Sequence, residues 1–518
     1  MFGFIFLLIT LLIKLLIIFL FILFLYILLT QLIYYKLKYQ HKKDFKNIKT
    51  ISFVHPFCAD CGGGEKVLWR MITSLISLND ESYNLSNIQT PQKLKINIIS
   101  GRRDNIGDLK EKLKQRFGIE LNQEDYNENI FSNYNSNNYN MNARINDKIV
   151  VQVELISLRS GYMLRPLKFL TMFFQILAQI YFGFEIITKI YSDVYCDTTG
   201  LPFCYFVLKY FGHAKVTAYT HYPFISNDMR KQVKNDEAGV HSQGNLNKYK
   251  IIKSIKLYYY KLILKLYKIM GNKCLSFAYV NSTWTKRHIV DLWEDLNQNG
   301  KIKILYPPCS ISLYKEAAKN DQRENIIVSF AQFRIEKNQH LQIEILAALK
   351  HKLNIYPEFQ DLELHIIGGV RNEEDQALFN DLVNYSRELG VQDYVKFLPN
   401  GTKEQILEEF SRAKIGIHTM VDEHFGITLI EMMAAGLILV THNSAGAKDD
   451  ILVNNADESN IGFLVDSKND YIKQIEEILL RYNEIKSLYV NSSRKRAEKF
   501  SDEAFKEQFI RELNEFLL

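Results

Sequence analysis

The part of the chain that indicates its fold most clearly is residues 415–441, IGIHTMVDEHFGITLIEMMAAGLILVT. Two apolar runs of strand character, Ile415–Thr419 and Leu437–Thr441, enclose a loop and a short helical stretch. Strand, loop, helix and strand in this order form a parallel βαβ unit, and in open parallel sheets ligands bind at the carboxyl ends of the strands. Because Glu423 and Glu431 flank the start of the predicted helix, we expect both carboxylates at that edge, where they could hold a sugar nucleotide.

Short apolar runs alternate with helical patterns along most of the chain, which indicates an α/β protein with parallel sheets. The predicted strands of a first half are Ile51–His55, Lys95–Ile99, Ile149–Leu155, Val194–Cys196, Val216–Thr220 and Leu275–Asn281. Those of a second half are Ile326–Ala331, Leu362–Ile367, Val395–Leu398, Ile415–Thr419 and Leu437–Thr441. A proline-stiffened connector, Leu305–Cys309, separates the two sets. We therefore predict two doubly wound, Rossmann-like domains with a cleft between them.

The N-terminal segment, residues 1–35, is nearly all leucine, isoleucine and phenylalanine, and it exceeds the roughly 20 residues that a helix needs to cross a bilayer. Lys14 interrupts it at a cost of roughly 2.5–3.5 kcal/mol, but about twenty apolar neighbours each return roughly 0.3–0.6 kcal/mol. A cleaved signal peptide would need a shorter apolar stretch and a small-residue cleavage site. We therefore predict a transmembrane anchor.

Lysines crowd the far side of this segment, at Lys36, Lys38, Lys42, Lys43 and Lys46. The positive-inside rule places them and everything that follows in the cytosol. The glycosylation sequons that begin at Asn84, Asn281 and Asn400 should therefore remain unglycosylated.

The predicted organisation has five parts. They are a transmembrane anchor (1–35), a basic linker (36–48), an N-terminal Rossmann-like domain (49–305), a C-terminal Rossmann-like domain (306–495) and a C-terminal helix (496–518). An Asn-rich stretch at about 122–146 reads as a disordered insertion. Leu164–Ile187 and Tyr258–Lys268 mix apolar and charged residues, and both core packing and insertion into the interface of the cytosolic leaflet fit them.

Composition limits the partners and the redox chemistry. A net charge of +6 over 518 residues gives a mild attraction to anionic surfaces, and no nucleic-acid signature accompanies it. Six cysteines in so long a chain do not make a disulfide framework. Cys58 and Cys61 form a lone CxxC pair, which is a poor zinc site, so we expect a reduced loop, with metal or redox chemistry as the alternative.

Three further features point to binding of a phosphorylated ligand. Gly62, Gly63 and Gly64 lead into a helix, where backbone can approach a phosphate and unpaired N–H groups carry partial positive charge. The turn matches neither GxGxxG nor a P-loop, which counts against dinucleotide and ATP sites. His221 follows a strand of the first domain and is expected at the same edge.

The third feature is a basic turn after strand Ile326–Ala331. Arg334 and Lys337 could bind a diphosphate, the arginine through bidentate hydrogen bonds and the lysine through its compact positive charge. A solvated, charged helix start is the alternative interpretation.

In order and spacing these features resemble the retaining GT-B glycosyltransferases of the glycogen-synthase-like, mannosyltransferase-rich family 4. The resemblance covers nearly everything past the anchor. Several strings are similar, more narrowly, to α-1,2-mannosyltransferases that extend the dolichol-linked oligosaccharide of asparagine-linked glycosylation. They are HPFC (55–58), THYPFIS (220–226), NSTWT (281–285), YPPC (306–309), QFRIEKN (332–338) and EHFGI (423–427).

The resemblance implies a retaining transfer of the fourth and fifth mannoses, both α-1,2-linked, from GDP-mannose to a Man3GlcNAc2-diphosphodolichol acceptor. It implies the cytosolic face of the endoplasmic reticulum membrane, no metal or other cofactor, and other early dolichol-pathway mannosyltransferases as candidate partners. Another GT-B sugar transferase of the same pathway, or a non-catalytic scaffold tethered to the membrane, is the alternative.

The resemblance also assigns residues. The expected catalytic residues are Glu423, His221 and Lys337. The expected donor-binding residues are Gly62, Gly63, Gly64, Arg334, Lys337, Phe425, Gly426, Ile427 and Glu431. Glu423 would hold hydroxyls of the donor mannose and Glu431 those of the ribose, while Lys337 and Arg334 would neutralise the diphosphate and His221 would lie against the transferring sugar. Many relatives carry the arginine two residues earlier, where this chain has Gln332.

Overall fold

The computed structural model describes residues 2–45, 48–60, 62–79, 93–102, 106–119, 150–165, 171–225, 250–317, 322–352, 355–356, 359–453 and 460–517. The chain divides into two compact units. The first comprises Met1–Tyr279, His288–Ile302 and Arg511–Leu518, and the second comprises Val280–Arg287 and Lys303–Ile510. The predicted insertion at 122–146, Lys46, Cys61 and the sequon at Asn84 lie outside the described residues.

Within the described residues, the first sheet has seven strands. They are β1 (Lys49–Val54), β2 (Lys93–Ser100), β3 (Val150–Ser157), β4 (Val194–Asp197), β5 (Lys215–Thr220), β6 (Phe277–Val280) and β7 (Ile302–Ile304). Their order is β3-β2-β1-β4-β5-β6-β7, and the pairings from β3 through β5 are parallel. The chain therefore reverses its direction of travel across the sheet between β1 and β4, as in doubly wound nucleotide-binding folds.

Helices and single turns accompany this part of the chain. The helices are α1 (Phe2–Asp44), α2 (Gly63–Ile76), α3 (Ile106–Phe117), α4 (Thr171–Lys189), α5 (Lys250–Cys274), α6 (Thr283–Val290) and α7 (Glu294–Gln298). Short 3-10 segments lie at Ser77–Asn79, Arg159–Leu164 and Pro202–Cys204, and a π-helical turn lies at Val207–Phe211. The core includes the fully buried rings of Phe53, Trp69, Phe182, Tyr195 and Phe277.

The second sheet has six strands in the part of the chain that the structure describes. They are β8 (Glu324–Phe330), β9 (Glu363–Gly368), β10 (Val395–Pro399), β11 (Ala413–His418), β12 (Ile438–His442) and β13 (Phe463–Val465). Their order is β10-β9-β8-β11-β12-β13, and every pairing is parallel. The direction in which successive strands are added to the sheet again reverses, here between the neighbouring strands β8 and β11. Ligands of open parallel sheets bind at the carboxyl ends of the strands at such a point.

The remaining helices belong mostly to the second unit. They are α8 (Ile311–Ala317), α9 (Gln339–Lys350), α10 (Glu373–Glu388), α11 (Lys403–Arg412), α12 (Ile427–Ala434), α13 (Lys468–Glu498), α14 (Asp502–Arg511) and α15 (Leu513–Leu517). Short 3-10 segments lie at Ile335–Lys337 and Gln392–Tyr394, and a π-helical turn lies at Ala447–Ile451.

Both faces of the second sheet are buried. Ile327 and Ile415 join one apolar cluster with α9 and α13, whereas their neighbour Val328 joins another with α12. Alternate residues of a strand point to opposite faces, so a strand covered on both sides reads as a continuous apolar run. Such runs can be recognised in the sequence. All eleven predicted strands are present, with ends within two residues of the prediction.

The sequence interpretation missed β7 and β13. Each is three residues long and lies at an edge of its sheet. An edge strand of this length buries too few side chains to leave a pattern in the sequence.

The N-terminal helix differs from the prediction at its end. Helix α1 runs without a break to Asp44, so most of the predicted basic linker is helical. Tyr34 is fully buried and its hydroxyl donates to the carbonyl oxygen of Gly212, while Gln31 Nε2 donates to the carbonyl oxygen of Phe211 at 3.1 Å. The helix is therefore docked on the first unit and is not joined to it by a free tether.

Among the residues that the structure describes, two helices are long and apolar enough to cross a membrane, α1 from Ile13 onward and α4. Helix α4 buries Phe182 and Ile186 in the first unit but leaves Phe173, Phe174 and Leu177 more than 40% exposed. It is thus partly a core helix, with an apolar stripe left uncovered.

The C-terminal segment also differs from the single helix expected at 496–518. Helix α13 ends at Glu498, and the shorter α14 and α15 follow it. The last eight residues, Arg511–Leu518, belong to the first unit.

Candidate active site

The centre of the second-unit site is the carboxylate of Glu423, in the loop of residues 419–426 between β11 and α12. Its Oε2 atom accepts a hydrogen bond from Lys337 Nζ at 2.5 Å and lies 3.1 Å from His418 Nε2. The three side chains are only 15%, 17% and 2% exposed, in the order Glu423, Lys337, His418. Sequence reasoning proposed Glu423 and Lys337 separately, and the structure brings them into contact.

Electrostatics keep this carboxylate ionised. Burial alone would raise the pKa of Glu423, but the hydrogen bond from His418 and the positive charge of Lys337 outweigh it, so the pKa lies well below its usual range. An ionised carboxylate accepts hydrogen bonds and donates none. Glu423 is therefore suited to receive hydroxyl groups and unsuited to act as a general acid.

Thr419 joins the two loops that carry these residues. Its Oγ1 is 2.9 Å from the carbonyl oxygen of Lys337 and 3.0 Å from that of Asn338, and it accepts from Gln342 Nε2 at 2.9 Å. Asn338 has a φ of 51°, and this left-handed residue turns the chain from the basic 3-10 segment into α9. The hydroxyl of Thr419 thereby fixes Lys337 relative to the start of the 419–426 loop.

Arg334 does not join this cluster. Its Nε lies 2.9 Å from Glu336 Oε1, and its side chain is 46% exposed. The two cations predicted to act together are thus separated in this structure: Lys337 faces Glu423, and Arg334 is paired with its own neighbour.

The other predicted donor-site residues of the second unit follow Glu423 along the chain. Phe425 is buried at 3% exposure, Gly426 caps α12, and Ile427 is the first residue of that helix. Glu431 is half-buried in α12 and accepts a hydrogen bond from the hydroxyl of Tyr314. Burial raises the pKa of Tyr314, and the neighbouring Glu431 carboxylate raises it further, which keeps the hydroxyl protonated as a donor.

In the first unit, the glycine turn and His221 are brought together. A Cβ atom placed on Gly64 would lie 3.3 Å from Nε2 of His221, so the ring rests against the backbone at the N-terminus of α2. His221 follows β5 directly, as predicted. A side chain at position 64 would push the ring away.

Two residues behind the turn, the buried His55 and the half-buried Glu65, were not recognised from sequence as contributors. Glu65 Oε2 accepts from the backbone N–H of Gly62 at 2.7 Å, and Glu65 Oε1 lies 3.2 Å from His55 Nε2. The other nitrogen of His55 lies 2.8 Å from Thr198 Oγ1. Burial works to raise the pKa of Glu65, but its hydrogen bonds to His55 and the backbone lower it overall. These contacts fix the shape of the glycine turn.

His418 was also missed. Its signal in the sequence is a polar residue that ends an otherwise apolar strand, at the carboxyl end where parallel sheets collect functional side chains. As for metals, the part of the chain that the structure describes contains no group of three or more histidine, cysteine, aspartate or glutamate side chains that could hold an ion. Cys58 is buried, and its CxxC partner Cys61 lies outside the described residues.

Comparison with known proteins agrees with this geometry. A family model described as ALG11 mannosyltransferase N-terminus matches residues 48–293, and one described as Glycosyl transferases group 1 matches residues 310–499. Several proteins named GDP-Man:Man(3)GlcNAc(2)-PP-Dol alpha-1,2-mannosyltransferase are similar to this chain. The one from Homo sapiens is 33% identical over 90% of this chain and 87% of its own, and the one from Xenopus laevis is 34% identical over 92% and 89%. The chain belongs to this family.

A solved structure supports the same fold. The glycosyltransferase from Rickettsia africae ESF-5 is similar with a TM-score of 0.56 over 91% of this chain and 99% of that one, at 16% identity. The predicted GT-B class, with two Rossmann-like units and an N-terminal apolar helix, is confirmed.

Proposed function

We propose that the protein transfers mannose from GDP-mannose to a Man3GlcNAc2-diphosphodolichol acceptor, in α-1,2 linkage, adding the fourth and fifth mannoses of the oligosaccharide precursor. The observation that carries this proposal is the contact of Glu423 with Lys337 and His418 at the carboxyl edge of the second sheet, in a chain that is 33% identical to the Homo sapiens relative. A fixed anion beside a fixed cation suits a ligand that is itself part sugar and part diphosphate.

In the proposed site Glu423 accepts hydrogen bonds from hydroxyls of the donor mannose. Lys337 stabilises the diphosphate as its bond to the sugar breaks, which is electrostatic catalysis by a preorganised group. Arg334 would have to leave Glu336 to assist it. Glu431, oriented by Tyr314, binds the ribose hydroxyls.

The proposed reaction is retaining. The C1–O bond to the diphosphate breaks, and the acceptor oxygen bonds to C1 on the same face. The acceptor proton passes to an oxygen of the leaving diphosphate, so no enzymic nucleophile is needed. Gly63 and Gly64 would approach the diphosphate through their backbone, and His221 would lie against the transferring sugar. We infer that no metal ion takes part, since Lys337 supplies the positive charge.

We also propose a single-pass protein of the endoplasmic reticulum membrane with both units in the cytosol. The apolar part of α1 and the lysines that follow it support this orientation. The exposed apolar stripe of α4 lies on the unit that α1 docks against, which supports shallow contact with the cytosolic leaflet. Tethering enzyme and lipid acceptor to one surface raises their effective concentration, and other early mannosyltransferases of the pathway are candidate partners there.

The test uses purified full-length protein with GDP-mannose and lipid-linked acceptors that carry one, two or three mannoses. We expect products with four and five mannoses from the three-mannose acceptor alone, cleavable by an α-1,2-mannosidase, and unchanged yield in the presence of EDTA. Transfer only to a one- or two-mannose acceptor would indicate a different transferase of the pathway. No transfer from any sugar nucleotide would indicate a scaffold.

A further inference from the structure

A buried carboxylate outside the proposed donor contacts joins several parts of the second unit. Asp450, in the π-helical turn Ala447–Ile451, is 1% exposed. Its Oδ2 accepts from the backbone N–H of Thr283 at 2.9 Å. Its Oδ1 accepts from Thr283 Oγ1 at 2.5 Å and from the hydroxyl of Tyr306 at 2.9 Å. A carboxylate has about four acceptor sites, and here they hold two chain segments in place.

Both of these segments place aromatic rings on the 419–426 loop. The ring of Trp284, the residue after Thr283, is stacked on His424 with centroids 5.0 Å apart and an interplanar angle of 11°. The ring of Tyr306 is stacked on Phe425 at 5.6 Å and 24°. His424 and Phe425 directly follow Glu423, so the two rings pack against the residues that set the direction of its side chain.

Residues just before the π-helical turn that carries Asp450 also contact the 419–426 loop. The backbone N–H of Gly446 donates to the carbonyl oxygen of Glu423 at 2.9 Å, and the N–H of Asp422 donates to Ser444 Oγ at 2.8 Å. A Cβ atom on Gly446 would lie 2.6 Å from Phe425 Cα, so only glycine permits this approach. Residues 444–450 therefore form the support on which the loop rests.

We propose that Asp450 is a positioning residue for the transfer reaction, which holds Thr283 and Tyr306 so that their segments fix the direction of the Glu423 carboxylate. The proposal rests on the function proposed above for Glu423. Thr283 follows β6 of the first sheet by three residues, yet it belongs to the second unit. Asp450 thus anchors the chain at the point where it first enters the unit that carries the proposed donor site.

The test compares Asp450→Asn with Asp449→Asn in the full-length protein. Asparagine replaces one carboxylate oxygen with an NH2 group, so either the backbone N–H of Thr283 or the hydroxyls of Thr283 and Tyr306 face a donor where they now have an acceptor. We expect kcat to fall about 10- to 30-fold, in line with a sub-ångström displacement of a catalytic group, while KM for GDP-mannose changes less than about threefold. Asp449 is the matched control, because it lies in the same turn but pairs with the exposed Arg287 at 2.8 Å. Its variant should keep the kcat of the wild type.

A double-mutant cycle separates positioning from general support. If Asp450 acts through Glu423, adding Asp450→Asn to Glu423→Gln should cause no further loss of kcat, because the group to be positioned is already impaired. Additive losses, or an unchanged kcat in Asp450→Asn, would overturn the proposal. An active Glu423→Gln variant would instead refute the function assigned to Glu423.

Two gentler variants cover the case in which Asp450→Asn does not fold. Tyr306→Phe removes one donor and keeps the ring that is stacked on Phe425. Thr283→Val removes the second hydroxyl donor and keeps the backbone N–H. Each should lower kcat about three- to tenfold and lose that effect in the Glu423→Gln background. If both keep the kcat of the wild type, Asp450 has no positioning role.

Discussion

The glycine turn of the first unit and the 419–426 loop of the second occupy equivalent places, since each lies between a parallel strand and the next helix, but they present different chemistry. The turn offers its backbone and the imidazole ring of His221, which rests on Gly64. The loop offers a buried anion in contact with a cation. The same position between a strand and the next helix can therefore serve either close backbone approach or fixed side-chain charge.

The glycine turn and the 419–426 loop also differ in how far along the chain their stabilising contacts reach. Glu65 serves its own turn by accepting from the N–H of Gly62, and its effect is local. Glu423 is held from several parts of the sequence, including Lys337, which is 86 residues distant. We therefore expect substitutions in the loop to affect catalysis more strongly than substitutions in the glycine turn.

The largest effect is expected at Glu423. Replacing it with glutamine keeps the shape and removes the charge that the sugar hydroxyls and Lys337 both use. We expect kcat/KM for GDP-mannose to fall by roughly 10³-fold, as for loss of one preorganised electrostatic group. Asp422→Asn is the matched control, because this neighbouring carboxylate is exposed, and asparagine tolerates its φ of 59°. Loss of less than about tenfold in Glu423→Gln would contradict the assigned role.

The next effect separates the two cations. Lys337→Ala should lower kcat by about 10²-fold, whereas Arg334→Ala should cost less than about tenfold, because Arg334 is exposed and paired with Glu336. Steady-state kinetics with saturating lipid acceptor measure both. If the two variants lose the same activity, Arg334 must leave Glu336 and contact the diphosphate when the donor binds, and the distinction drawn here between the two cations is wrong.

A smaller effect is expected in the first unit. Gly64→Ala places a methyl group 3.3 Å from Nε2 of His221, so the ring must move by a few tenths of an ångström. We expect about a tenfold loss of kcat/KM, because a small displacement of the His221 ring misplaces it relative to the substrate. Thermal stability should change little, because the shift is too small to disrupt packing. A loss as large as that of Glu423→Gln would remove the distinction between the two regions.

Much of this could be predicted from the sequence because the central strands of both sheets are buried on both faces and read as apolar runs. The E-x7-E spacing and the strand before it located Glu423, and the basic turn located Lys337. The pairing of Arg334 with Glu336 was beyond reach, since a helix start with mixed charges can turn either cation toward a ligand. The end of α1 was also missed, because lysine is a good helix former and lets a helix continue past an apolar segment.

The contacts of Asp450 show a second limit. Thr283 is 167 residues away from it, and no periodicity connects them. The contact of His418 with Glu423 spans only five residues, but it depends on the left-handed conformation of Asp422. Because Asp422 is not a glycine, the sequence does not predict that conformation. Strand patterns report burial, whereas polar contacts depend on how loops fold back.

The smallest effect is one of stability and pH, and it separates charge for catalysis from charge for folding. The pKa of Glu423 is depressed in the folded protein, so its contribution to stability is complete above the ordinary carboxyl pKa and is lost as the pH falls below it. Glu409 is a matched case in the same unit, since its partners His365 and Lys396 overcome burial and lower its pKa to about 2. Both glutamine variants should therefore unfold at a temperature roughly 2–6 °C below wild type at pH 7, and the difference should shrink toward pH 4.

Only one of these two variants should lose activity. Glu409 contacts His365 and Lys396 and none of the groups assigned to the donor, so Glu409→Gln should keep kcat within about twofold of wild type at 25 °C, while Glu423→Gln should not. Thermal unfolding in detergent at pH 7 and pH 4, together with kcat at pH 7, checks both statements. A destabilisation that grows as the pH falls would show that burial, and not the cationic partner, dominates the carboxylate concerned.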